Sequence, residues 1–202
     1  MYHVIHCDKH TERDEHIRNM ETILGQPISI FKGYCPTSYT LLEDLIQTSY
    51  KFKSLGHLGC YFSHHMLIKS LLDKTEGHTV IFEDDACFEK TLHEDILKII
   101  ECAPIDFDII LLGNYIHHNT CNHGQHITDN IYKMDPIPDC YGTHALLINN
   151  KSLEKIYNMN RTMNAHLDNK YAISIKNGEL HGYVIYPILC SQADYGSHTI
   201  NS

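Results

Sequence analysis

The sequence predicts an α/β fold: a single domain over residues 1–202 with a mostly parallel central sheet flanked by helices. Three observations predict it. Short apolar runs at residues 2–7, 28–31, 79–82 and 108–112 read as strands, and stretches with apolar residues at helical spacing separate them. The chain opens strand, helix, strand, the order that implies parallel strands joined by a crossover. Its 202 residues suffice for one sizeable core, and no repeat or linker divides them.

The elements follow in order. Residues 2–7 form the first strand. Thr11 and Asp14 resemble a helix start, and Glu12, Asp14 and Glu15 suit a helix N-terminus. Ile17, Met20, Ile23 and Leu24 recur at helical spacing, and Gly25 with Pro27 closes that helix. Residues 28–31 read as a second strand and 32–40 as a loop holding Gly33 and Pro36. A short helix is expected over 41–48. A long one follows at 60–72, preceded by Gly56 and Gly59, with apolar residues on more than one stripe and therefore well buried. Residues 79–82 form the central strand. An amphipathic helix over 92–100 ends at Pro104, and 108–112 is a second fully apolar strand ended by Gly113. Residues 114–130 are polar, His-rich and without periodicity. An edge strand is expected at 131–134 and a strand at 144–148. A helix capped by Asn149 or Asn150 reaches about Met159, and another covers 165–176 up to Gly178. A last strand spans 183–188, where Pro187 confines one end to a non-donating position.

Composition narrows the function. Hydrophobic content of 43% and charged content of 20% are those of a globular chain. A net charge of −9 argues against non-specific nucleic-acid binding and means that an anionic substrate needs a local positive feature. The eight cysteines form no C-x-x-C pair and are spread evenly, so they read as reduced, buried small hydrophobes. No signal-peptide pattern is visible, and no apolar run approaches the ~20 residues needed to span a bilayer. A soluble cytoplasmic protein is the expectation.

The stretch from Thr79 to Ala86 organises the rest. Its apolar strand runs without a spacer into Glu83, Asp84 and Asp85. In open α/β sheets ligands bind at the carboxyl ends of strands. Like charges this close repel, so the acids either lie on a solvated turn or gather around a positive partner, a hard divalent cation being the natural one. Alternation along an extended chain would point Glu83 and Asp85 one way and Asp84 the other, unless the strand has already turned.

With these motifs in place, the chain resembles glycosyltransferase family 25, the lipooligosaccharide-synthesis and procollagen-galactosyltransferase family. Val4-Ile5-His6-Cys7-Asp8 with Arg13 is similar to the family's opening strand and arginine, and Phe31-Lys32-Gly33 to its second strand. Leu58-Gly59-Cys60-Tyr61-Phe62-Ser63-His64 resembles its Gly-Cys-x-x-Ser-His helix start. The stretch from Val80 to Ala86 resembles its acidic motif, and that from Asp106 to Gly113 its next strand. Tyr141-Gly142-Thr143-His144-Ala145 stands at its aromatic and glycine-rich strand entry, with Gly-Thr-His where the family has more consecutive small residues. His166-Leu167-Asp168 holds the place of an aspartate, and Gln192 with Ser197 and Thr199 is similar to the C-terminal motif.

The resemblance implies a GT-A-like fold and inverting transfer of a hexose, galactose or glucose, from a UDP-sugar donor to a hydroxyl of a glycan or hydroxylysine-type acceptor, with Mn²⁺ or Mg²⁺. Asp85 and Asp84 are then the expected metal ligand and ligand orienter, with His198 as a further ligand from the C-terminal end. Asp168 is the expected general base, with Glu83 and Asp139 in reserve. Arg13, Ser63, His64, Asp84 and Gly142 are expected to bind the donor: Arg13 because its planar fork matches phosphate, Ser63 and His64 because a helix start there offers backbone N–H groups to an anion. A catalytically weak sugar-nucleotide-binding domain on the same fold is the alternative. A phosphohydrolase fits less well, for the acids lack the Asp-x-Asp-x-Thr order. The tract from His117 to His126 holds four His and one Cys, but its spacing matches no zinc finger or ribbon and it reads as an acceptor-side loop.

Overall fold

The computed structural model describes residues 1–39, 45–47, 50–116, 124–134 and 140–193; at Ile46, Gln47, Tyr115, Ile116, Cys140 and Tyr141 only the backbone is described. Asp139, His198, Ser197, Thr199, most of the His-rich tract and residues 41–44 and 48 of the expected short helix lie outside these segments. In chain order the elements are β1 (Tyr2–His6), α1 (Asp14–Leu24), β2 (Ile28–Lys32), β3 (Ile46–Gln47), α2 (Leu55–Ser70), β4 (His78–Glu83), β5 (Ala86–Phe88) and α3 (Leu92–Cys102). Then come β6 (Ile109–Leu111), β7 (Tyr115–Ile116), β8 (His126–Thr128), β9 (Ile131–Lys133), β10 (Cys140–Tyr141), β11 (Ala145–Asn149), α4 (Leu153–Asn160), β12 (Thr162–Met163), α5 (Leu167–Lys176), β13 (Gly182–Ile185) and β14 (Cys190–Gln192).

Eight strands form the central sheet in the order β2-β1-β4-β11-β6-β13-β9-β8. β1 runs parallel to β2 and β4, and β13 parallel to β6. β11 is antiparallel to both its neighbours, so the sheet is mixed about its centre. Three expectations need correcting here. β9 is not an edge strand, because β8 pairs along its outer side. The segment read as aperiodic from 114 to 130 contains β7 and β8, each too short to show a period. Ile46–Gln47, expected in a helix, pairs with β12.

Alternation along the strands divides the core into two layers. Ile81, Leu146, Ile148, Ile109 and Leu111 face α2, α4 and α5, meeting Leu58, Phe62, Ile68, Ile156 and Tyr171. Val80, Phe82, Leu147 and Ile110 face α1 and α3, meeting Ile17, Met20, Leu24, Ile96 and Ile99. Burial of both faces is why β4 reads as an unbroken apolar run. Each such side chain removed from water contributes about 1.5–3 kcal/mol. Asp108 ties the start of β6 to the next layer: its carboxylate accepts from Ser152 Oγ at 2.5 Å, Lys155 Nζ at 2.6 Å and the His181 N–H at 2.7 Å. Among the described residues, no helix is long and apolar enough to cross a membrane.

Two helix ends show what the sequence encodes locally. Gly25 closes α1 at φ +65°, a left-handed conformation that costs glycine little, and its N–H reaches Glu21 O at 3.0 Å. α2 begins earlier than the glycines suggest. Ser54 caps it, accepting the His57 N–H at 3.3 Å, and Gly56 and Gly59 lie inside the helix. Gly59 belongs there because a Cβ would fall 2.6 Å from Tyr34 O and 3.0 Å from Pro36 Cδ. The cysteine expectation also changes. Cys7 and Cys35 are joined by a disulfide that links the loops after β1 and β2, with Cα atoms 6.1 Å apart. Cys60, Cys87, Cys102 and Cys190 carry free thiols.

Candidate active site

The parallel strands β2, β1 and β4 end side by side, with Ile5 in register with Glu83 and His6 with Lys32. β11 enters beside them, so Gly142, Thr143 and His144 arrive at the same edge, where Glu83 N–H donates to His144 O at 2.9 Å. β4 stops at Glu83, and Asp84 and Asp85 form the turn into β5. This resolves the question of side-chain direction: the chain turns, and Asp84 and Asp85 come to share one partner.

That partner is Arg13. Its Nη1 bonds Asp84 Oδ1 and lies 3.5 Å from Asp85 Oδ2. A positive partner for the acids, one of the two alternatives the sequence left open, is thus partly supplied from within the chain. Arg13 and Asp84 side chains are each 9% exposed, so Arg13 serves as an internal counter-ion to Asp84. Asp84 Oδ2 also meets His6 Nδ1 at 2.9 Å and the Cys7 N–H at 3.4 Å, and His6 Nε2 reaches Asp14 Oδ1 at 3.1 Å. Both Asp84 oxygens are therefore engaged inside the fold.

Asp85 differs. It accepts from Gln192 Nε2 at 3.2 Å, its backbone carbonyl holds the Ala193 N–H at 2.8 Å, and its side chain is 17% exposed. Burial and the charge of Glu83 push its carboxyl up to about 6, against the opposing pull of Arg13. Glu83 goes the other way. Burial alone would raise it, but the hydrogen bond and charge of His64 and the Thr143 hydroxyl outweigh that and hold it well below the usual carboxylate range. Thr143 Oγ1 donates to Glu83 Oε1 at 2.6 Å, and His64 Nε2 lies 3.1 Å from the same oxygen.

Asp168 sits in the first turn of α5. It accepts the Asn169 N–H at 2.7 Å and also the Gly142 N–H. Burial and Glu83 raise its carboxyl above the ordinary value, with His57 opposing. His57 packs against His166 with ring centres 4.1 Å apart.

Ser63 and His64 do not begin a helix. They lie in the interior of α2, where their N–H groups are spent on the helix itself. Ser63 Oγ donates to Gly59 O at 2.6 Å and accepts the Tyr34 N–H at 2.8 Å, and both residues are buried. Their side chains tie α2 to Tyr34 and to Glu83. The structure thus brings Glu83, Asp84, Asp85, Asp168, Gly142 and Arg13 to one edge, while His198 and Asp139 lie outside the described residues. It adds residues that sequence reasoning did not single out as site groups: His6 and Gln192, which hold Asp84 and Asp85, and Cys60, Thr143 and His57. The four-residue spacing of Cys60 and His64 was a usable signal, because it sets both on one helix face.

An α/β sheet with a carboxylate cluster at the ends of its parallel strands is the layout of a ligand-binding site. Residues 1–185 match the model of "Glycosyltransferase family 25 (LPS biosynthesis protein)", and the chain belongs to that family of glycosyltransferases. Over 61 residues it is 31% identical to "Procollagen galactosyltransferase 2" of Homo sapiens, a match covering 29% of this chain and 10% of that protein. Over 82 residues it is 30% identical to "Probable inactive glycosyltransferase 25 family member 3" of Bos taurus, covering 37% of this chain and 14% of that one. The matched segments are therefore a small part of these relatives' length. Among solved structures, a glycosyltransferase involved in glycosylation of the major capsid of PBCV-1 superposes with a TM-score of 0.41 and 11% identity, over 78% of this chain and 64% of that one.

Proposed function

We propose that residues 1–202 act as one metal-assisted, inverting glycosyltransferase domain that moves a hexose, galactose or glucose, from a UDP-sugar to a hydroxyl of a glycan or hydroxylysine-type acceptor. The observation that carries the reading is the division of labour among the acids. Asp84 is locked to Arg13, while Asp85 beside it keeps a crowded, part-exposed carboxylate whose charge is incompletely balanced. The donor set fits a hard cation: Asp85 offers oxygen, and Arg13 through Asp84 and Gln192 through its own bond hold the turn in place. Mn²⁺ or Mg²⁺ bound there would neutralise the diphosphate leaving group. Ala193 N–H bonds Asp85 O, and His198 is five positions further along the sequence, a span of up to ~18 Å in an extended chain. His198 is the further ligand in this reading.

Asp168 acts as the base. Its Oδ takes the acceptor hydroxyl proton as that oxygen bonds the anomeric carbon and the bond to the diphosphate oxygen breaks. A carboxyl raised by burial is the better base near neutral pH. Gly142 N–H and Asn169 N–H fix its direction. Glu83 is held by His64 and Thr143 and positions the floor of the site.

A screen of UDP-galactose and UDP-glucose with MnCl₂, reading UDP release with and without glycan and hydroxylysine-peptide acceptors, tests the activity. Asp168→Asn should lower turnover by about 10²–10⁴-fold while UDP still binds by calorimetry. Unchanged turnover in that variant removes Asp168 from the mechanism. A second reading is a sugar-nucleotide-binding domain without transfer. The Arg13 guanidinium among the acids favours it, as does the bovine relative named as inactive. UDP binding with no transfer to any acceptor would select it.

A further inference from the structure

Cys60 and His64 stand one turn apart on α2 and both point at the last residue of β4. Cys60 Sγ lies 3.5 Å and His64 Nε2 3.1 Å from Glu83 Oε1, and the three ligand atoms fall within 4.8 Å of one another. The Thr143 hydroxyl converges on the same oxygen at 2.6 Å and lies 3.6 Å from Cys60 Sγ. A sulfur, an imidazole nitrogen and a carboxylate oxygen this close to one another are within reach of a single ion. We propose that Cys60, His64 and Glu83 form a three-ligand zinc site, distinct from the cation proposed at Asp85 and tested without any readout of transfer.

Size supports it. A tetrahedral zinc with bonds of about 2.3 Å to sulfur and about 2.0–2.1 Å to nitrogen and oxygen has S–O edges of about 3.5 Å and N–O edges of about 3.3 Å. The observed separations, 3.5 and 3.1 Å, differ from these by a few tenths at most. Chemistry supports it too. Thiolate and imidazole are softer ligands that favour zinc, whereas the Asp85 turn offers oxygen alone and suits a harder ion. On binding, Cys60 S–H and His64 Nε2–H each give a proton to solvent as Zn–S and Zn–N bonds form, the remaining imidazole proton staying on Nδ1. A thiolate, a carboxylate and a neutral imidazole then sum to zero with Zn²⁺, which a largely buried site tolerates.

The scaffold is preset. His64 is fully buried and its Nδ1 meets no hydrogen-bond partner among the described residues, so Nε2 carries its polar role. Ser54 and the close contact of Gly59 with Tyr34 O fix the axial position of α2. Cys60 and Glu83 are half-buried, which leaves a path for the ion. The other such group among the described residues, Cys7, Asp8 and Cys35, has its two sulfurs bonded to each other.

The test uses the full chain, stripped with a chelator under non-reducing conditions and titrated with CoCl₂, ZnCl₂ or MnCl₂. We expect one zinc per chain, and with cobalt a thiolate-to-metal charge-transfer band. Cys60→Ser should abolish the band, His64→Gln should weaken binding by at least the about 10–100-fold that loss of an outer-shell partner costs, and Cys102→Ser, at an exposed thiol, should leave both unchanged. Zinc, but not manganese, should protect Cys60 from iodoacetamide in the unmodified protein relative to Cys102, a readout that needs no variant to fold. A wild-type chain with no cobalt–thiolate band, a band that survives Cys60→Ser, or Cys60 labelling unaffected by zinc would each overturn the site.

Discussion

Replacing Arg13 with Met tests whether the acidic turn is held by an internal cation. Arg13 and Asp84 are both 9% exposed at the side chain, so the substitution strands a buried carboxylate. Removing one partner of a buried pair costs about 3–5 kcal/mol. Asp84 keeps His6 Nδ1 at 2.9 Å and the Cys7 N–H at 3.4 Å, which places the expectation near the lower end, about 3 kcal/mol. With a urea slope of about 2 kcal/mol/M, the midpoint falls by about 1.5 M. Adding Asp84→Asn to Arg13→Met removes the stranded charge and should recover at least about 1 kcal/mol relative to the sum of the single changes. Urea unfolding of the four chains, followed by circular dichroism, completes the cycle. A midpoint loss in Arg13→Met under about 0.3 M, or strict additivity in the double variant, refutes the counter-ion assignment.

Asp108→Asn addresses acid stability. Burial alone would raise the Asp108 carboxyl, but Lys155, Ser152 and the His181 N–H outweigh it and hold it below the ordinary value. A lowered folded value contributes stability above the unfolded value of about 3.9 that is lost as pH falls below it; the variant should be less stable at pH 7 and show a shallower loss below about pH 4, and parallel acid profiles of the two chains would contradict this. Gly59→Ala gains up to about 1 kcal/mol of helix propensity but drives a Cβ to 2.6 Å from Tyr34 O, where overpacking costs about 1–3 kcal/mol. The urea midpoint should fall, and a rise would mean that the loop holding Tyr34 and Pro36 yields freely.

Elements whose cause is local were legible in the sequence. β4 announced itself because Thr79 to Phe82 are buried on both faces, and α1 ended where Gly25 takes a positive φ. What escaped depends on distant neighbours. The sequence left Glu83, Asp84 and Asp85 either on a solvated turn or around a positive partner, and nothing in it singled out Arg13, 71 positions from Asp84, over a bound ion. The α2 start was placed late because Gly59 looks like a breaker until Tyr34 O is seen against it. The Cys7–Cys35 bond spans 28 residues of ordinary sequence. β5 and β14 are three residues each, too short for alternation to register, yet their pairing brings Gln192 to Asp85. Asp168 was found through the family resemblance; its tie to Gly142 required the fold.

The placement of β11 bears on how the molecule is made. β4 and β6 each pair with it and are held apart by its width, about 10 Å between their axes. A nascent chain that has emerged from the ribosome only as far as residue 144 carries two apolar strands, each with a bare row of amide and carbonyl groups of the kind that recruits other chains. Five residues, Ala-Leu-Leu-Ile-Asn, close both seams at once. Synthesis must therefore reach Asn149 before the sheet has a continuous middle, and a chaperone holding that unfinished product would find its grip on the edges of β4 and β6.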